Sequence, residues 1–272
     1  MTEMPHPIVP RDLDVDFTGV PRHWMANNAV ATAISNGVNM LFPAGERFFV
    51  RSVKHFAGDI ADPELRAQVK GFFGQEGRHA REHDRFNDIM RGQGFRIDGF
   101  LDFYERTQRR IEHASPPKLR LATTAACEHF TAIMAEGAFT RGALDNADPR
   151  MQTLLAWHAA EEIEHKAVAF DVLQQVDSSY ALRVAGMALA TTFLAGYWIA
   201  ATRMLLRQEG ISGRQALREL RALGDRDPIV RRVFVSGIRA YLRRDFHPDQ
   251  HDQRELAPRW FAARGLAMPA AA

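Results

Sequence analysis

An aspartate-proline pair at Asp62-Pro63 recurs at Asp148-Pro149, and each pair opens a long segment whose apolar residues fall at helical spacing. An aspartate at the N-cap accepts from the first free backbone amides, and a proline behind it presets the first helical residue, so each pair marks a helix start. Nowhere does strict two-residue alternation run long enough to make a strand. Such a chain can bury its apolar surface only by packing helix on helix, and 272 residues, 46% of them hydrophobic, suffice for a full core.

The spacing predicts an all-α fold, a ferritin-like four-helix bundle with an N-terminal arm and additional C-terminal helices. Residues 1–22, rich in proline and acids, form the arm. The metal-binding bundle covers 23–180, an apolar helix 181–206, and a helical extension 207–272. Within the bundle, helices are predicted over 24–57, either kinked at Pro43 or divided there into a short helix and a longer one, and over 63–91, 118–146 and 149–175. A further amphipathic stretch runs from 100 to 114, and Asp227-Pro228 predicts a helix to Arg244.

These helices carry, in order, Glu46, then Glu76 with His79, then Glu128, then Glu162 with His165. Residues three apart share a helix face, so each Glu-x-x-His pair can touch one ion. A bundle that holds two metals takes one glutamate from each of two helices and a Glu-x-x-His pair from each of the other two. Glu162 and His165 follow Glu76 and His79 by 86 positions, and Glu128 follows Glu46 by 82. One Glu-x-x-His pair alone is more often a solvated face than a ligand set; the ordered near-repeat of six is what selects these residues. Mixed nitrogen and oxygen donors suit two divalent ions, iron first, with manganese and zinc as alternatives. A structural zinc site would call for cysteines, and Cys127 is the only one, read here as a small core residue.

Two histidines on the ligand faces lack a counterpart in the other half. The 86-residue shift sets His83 against Ala169 and His158 against Phe72, so each is a candidate extra ligand, orienting group or proton carrier, or else a hydrogen-bonded core histidine. Glu161 and Glu164 lie about 100° from the ligand face, beside the site or at the surface. Glu82 and His129 have the same standing. Gly45, Gly74 and Gly77 permit close packing near the ligands. His247 and His251, in a proline-broken polar loop, are predicted to be surface histidines.

The strings LFPAGERFFVRSVKH, FFGQEGRHAREH, CEHFTA and WHAAEEIEHKAVAFDV resemble a bacterial family labelled predicted metal-dependent hydrolase, over about residues 25 to 205. They are also similar to the ferritin-like di-iron pattern. The resemblance implies Glu46, Glu76, His79, Glu128, Glu162 and His165 as ligands.

Between Arg183 and Arg203 lie 19 residues without a charge, about 28 Å of helix. That length suits a bilayer span, while its threonines, glycines and alanines suit a buried fifth helix or a homodimer interface. The near-balance of 35 basic and 33 acidic residues gives no reason to expect a nucleic-acid partner. No secretory signal is visible at the N-terminus, which predicts a cytoplasmic protein, membrane-associated if residues 184–202 insert. Two chemistries fit the ligand set. The leading expectation is an oxidoreductase that uses iron and O2 on an apolar small molecule. The alternative is a hydrolase that uses a metal-activated water, with Glu161, His83 or His158 as general base. Metal binding or storage without turnover is the third.

Overall fold

The computed structural model describes residues 8–224, 231–250, 253 and 255–265. Asn28 caps α1 (Ala29–Asn39) through its side chain, and a break at Met40 and Leu41 precedes α2 (Phe42–Lys54), whose first turn contains Pro43. Proline is tolerated there because its missing N–H would have no partner, and the segment is divided into two helices rather than kinked. The Asp62 carboxylate accepts from the Glu64 amide and opens α3 (Pro63–Gly92). Then come α4 (Asp98–Ala114) and α5 (Pro117–Thr140). Asp148 caps α6 (Pro149–His165) in the same way, accepting from the Arg150 amide. The chain continues through α7 (Val168–Val176), α8 (Tyr180–Gln208), α9 (Gly213–Gly224), α10 (Gly237–Tyr241) and α11 (Leu256–Ala262). The fold is all-helical; among the described residues the one extended pairing is an isolated antiparallel bridge between Met25 and Ala147.

Two predicted boundaries and one packing expectation are corrected. The third bundle helix ends at Thr140 rather than near Asn146, because Gly142 takes a positive φ of 64° and the chain turns back so that Asn146 accepts from the Ala26 amide. The fourth is interrupted just after His165, splitting it into α6 and α7. No glycine or proline marks that break; Lys166 there turns its amine inward toward Gln253. Gly77 faces open space and no close packing depends on it, whereas a side chain at Gly74 would meet Pro10 of the N-terminal arm. Asp227, Pro228 and His251 lie outside the described residues. His247 sits half-exposed and hydrogen-bonds Asp171, as a surface histidine should.

The four helices that carry the candidate ligands pack as two pairs, α2 on α3 and α5 on α6, with α2 also touching α5 and α3 touching α6. The N-terminal arm crosses α3, where Ile8 fills the space beside Gly71 and Pro10 that beside Gly74. Leu13, Val15, Phe17 and Val20 then bury themselves in the main core. Along the opposite side, α8 packs on α5 and α1. By length and composition α8 could cross a membrane, yet it is neither wholly buried nor wholly exposed: 22% of its most apolar window is buried. Its outer face presents Ala181, Ala185, Ala188, Thr192, Gly196 and Ile199.

The α5–α8 contact is backbone-close at Gly186, where a side chain would run into the Ala122 carbonyl. Gly186→Ala is expected to cost about 1–3 kcal/mol by overpacking, read as a lower denaturant midpoint. An unchanged midpoint would show that the two helices can separate freely.

Candidate metal centre

Glu46 comes from α2, Glu76 and His79 from α3, Glu128 from α5, and Glu162 and His165 from α6. The structure brings all six together, and none is more than 4% exposed. His165 Nε2 lies 3.2 Å from Glu76 Oε1, 3.3 Å from Glu128 Oε2 and 3.5 Å from Glu162 Oε1. His79 Nδ1 lies 3.7 Å from both Glu76 Oε1 and Glu162 Oε1. Donor atoms of Glu46, Glu76 and His79 fall within 4.8 Å of one another, as do those of Glu76, Glu128 and His165. Glu76 belongs to both groups, so two adjacent ion positions would share it.

Buried polar atoms almost always have hydrogen-bond partners, and exceptions call for an explanation. Here both oxygens of Glu46, Glu76 and Glu128, Glu162 Oε2, His79 Nδ1 and His165 Nε2 have none. Each of the six residues therefore turns at least one unsatisfied atom toward the others. Four acids clustered at that depth need cations, and two divalent ions would match their charge. The residues fit such a pair.

Each histidine is fixed from behind. His165 Nδ1 meets Gln75 Oε1 at 2.8 Å, and since an amide oxygen only accepts, the ring carries its proton there and turns Nε2 inward bare. His79 Nε2 meets Glu161 Oε2 at 3.0 Å, which by the same logic leaves Nδ1 inward. Arg11 supports both histidines from the arm. Its backbone amide donates to Glu161 Oε1, and its guanidinium forks onto Glu164, whose Oε2 also accepts from Gln75 Nε2. Neither Arg11 nor Gln75 stood out in the sequence. Gln75 lies beside Glu76 with no periodic signal, and Arg11 belongs to an aperiodic arm 150 positions from Glu161.

The remaining candidates fall into two groups. His83 and His158 join the centre: His83 Nε2 is 2.6 Å from His158 Nδ1, and His158 Nε2 is 2.9 Å from Glu162 Oε1. Glu161 is fully buried behind His79. Glu82 stands apart, engaged by Arg81 and Arg85. His129 faces away, toward the Gly237 carbonyl.

A cavity of about 110 Å³ lies between α2, α4, α5 and α8, and of the six residues Glu46 alone lines it. Phe42, Phe49, Tyr104, Phe193, Leu194 and Tyr197 make most of its wall. Its polar lining away from Glu46 includes Gln108, Glu112 and Arg120. Cys127 packs against the core, as expected, and also lines this cavity, its thiol pushed up to about 12 by burial and then by the neighbouring Glu128 charge. The outer wall, α4, buries a single residue, Tyr104.

A helical protein with a buried cluster of four carboxylates and two imidazoles, each oriented from outside, belongs to the class built to hold divalent metal. The sequence profile of a family described as "Predicted metal-dependent hydrolase" matches residues 9–252, and the chain belongs to that family. No curated protein and no solved structure matches it.

Without an ion, protons hold the cluster together. Burial, then the charge of Glu76, raises Glu46 well above the ordinary carboxylate range, and the same causes bring Glu128 to about 8. Burial works against a charge on His79, but the hydrogen bond to Glu161 and the nearby Glu76 carboxylate outweigh it and raise the ring to about 10. His165 is likewise raised against burial, first by the Glu162 charge. With Glu128 near 8 and His79 near 10, both groups hold protons at pH 7 and must release them to bind metal, so affinity should climb as pH rises from 6 to 8. Calorimetric titration of manganese into metal-free protein, in two buffers of different ionisation heat, is expected to show net proton release. Affinity independent of pH would contradict this assignment.

Proposed function

We propose that the chain is a two-metal hydrolase that cleaves a carboxylic ester or amide carrying an apolar chain. The observation that carries this reading is the set of unsatisfied buried atoms converging from four helices, with Glu46 on the wall of an apolar cavity. Family membership supports hydrolysis over the oxygen chemistry expected first. Ions held by Glu46, Glu76, His79, Glu128, Glu162 and His165 would supply Lewis acidity, lowering the pKa of a water and polarising the scissile carbonyl.

The chain's own residues would do the rest. The aromatic wall binds the apolar chain and excludes bulk water. Among the cavity-lining residues, Arg120 is the one cation, and it lies beside Glu112, so the lining suits an uncharged scissile group better than a phosphoryl group. Glu46, with both oxygens unsatisfied, is placed to accept the proton of the attacking water. Glu161 is committed on both oxygens, to His79 and to Arg11, and serves to aim His79. The same apolar cavity also suits oxidation of a hydrocarbon chain, which gives the oxygen reading its one specific support.

Metal-stripped protein is expected to cleave p-nitrophenyl esters only after manganese, zinc or ferrous ion is restored. Glu128→Ala should lose metal and at least a hundredfold in kcat/KM. Rapid oxygen uptake by the ferrous protein, with no metal-dependent ester cleavage, would replace hydrolysis by oxidation. A second outcome concerns the cavity: Thr123→Phe, which fills it from α5, should raise KM about tenfold for long-chain esters and leave acetyl esters nearly unchanged. Equal effects on both would place the substrate elsewhere.

A further inference from the structure

The six residues of the centre leave two buried histidines beside it unexplained. His83 Nδ1 lies 2.6 Å from Asn39 Oδ1, while the Asn39 amide nitrogen donates to Asn87 Oδ1 at 3.4 Å. With the asparagine oxygen facing it, His83 Nδ1 carries the proton and its Nε2 accepts. His158 Nδ1 is therefore the donor in the 2.6 Å contact between the two rings. That leaves His158 Nε2 bare, and it points at Glu162 Oε1, 2.9 Å away, and Glu46 Oε1, 3.5 Å away. Three acceptor atoms meet there, and the ring proton of His158 is already spent on His83. A metal cation between them would make such an arrangement favourable.

From this geometry we propose that His158 is a seventh metal ligand, placed on the ion beside Glu46, with His83 as the residue that positions it. The proposal rests on the two-metal reading above. Donor atoms of His79, His158 and Glu162 lie within 4.8 Å of one another, which is ligand spacing without any rearrangement. The rings of His79 and His158 lie alongside each other, centroids 4.1 Å apart, so both can address one ion. Phe42 packs against both His83 and His158 and closes the cavity side of the pair. His83 has both nitrogens engaged and is not itself a ligand.

The seventh ligand makes the centre unsymmetrical. The position that corresponds to His158 in the first half of the chain is Phe72, whose ring stands edge-on to His165. The ion beside Glu46 would then hold two imidazoles, and its neighbour only one. Since Glu46 also faces the cavity, the ion that Glu46, His79 and His158 would hold is the one that would lie nearer the substrate.

Cobalt(II) loaded into the full chain reads this directly, because X-ray absorption counts imidazoles. The expected count is three imidazoles per two ions. His158→Ala should reduce it to two and weaken one of the two binding steps at least tenfold in competition titration, with the other unchanged. Added free imidazole should restore the lost signal. Two ions bound with only two imidazoles in the unaltered protein would overturn the seventh ligand and leave the two-metal reading intact, whereas no bound cobalt would overturn both. The count on the unaltered chain decides the matter even if His158→Ala fails to fold.

Discussion

Four carboxylates buried within reach of one another are the constraint on which this structure turns. In water each would be solvated; here Glu46, Glu76, Glu128 and Glu162 have given up that solvation, and like charges at such range repel strongly in a low-dielectric interior. Among the described residues the cationic groups within ion-pair distance of them are histidines only. Protons can balance the charge in part, as the raised Glu46 and Glu128 show. Two divalent ions balance it completely. The helix pairing, the capping aspartates and the ordered arm can all be read as the scaffold that holds this unfavourable cluster in one place.

Seen from that cluster, the outer layers have a clear order. Gln75 and Glu161 turn the rings, Glu164 holds Gln75, and Arg11 holds both glutamates. The Arg11 guanidinium in turn lies 3.6 Å over the Phe261 ring of α11. The N-terminal arm and α11 thus meet behind the candidate site.

Much of this was legible in the sequence, and what was not has a physical reason. The helix starts at Pro63 and Pro149 were legible because the cap chemistry is local. The six clustered residues could be chosen because a site built to hold two metals would impose order and spacing on helices that repeat. The support from Arg11 could not, since it depends on how an aperiodic arm lies across α3 and α6. The break after His165 left no trace because it is imposed from outside the helix, where Lys166 meets Gln253. The end of α5 could have been found: Gly142 is there to be read, and only the run of helix-compatible residues around it argued for continuation. Residues 184–202, read as either a buried helix or a membrane helix, turn out to have one packed face and one open face, a state that total hydropathy cannot distinguish from either.

The arm's part in the centre changes what counts as the boundary of the working unit. A chain begun at the first helix would keep all six candidate ligands and His158 but would lose Leu13, Val15, Phe17 and Val20 from the core. It would also lack Arg11, which steadies the acids behind both candidate ligand rings. Arg11 and the Glu161 carboxylate that it holds lie 150 positions apart in the sequence, so the candidate centre can take its final shape only after α6 has been made and the arm has come back to meet it.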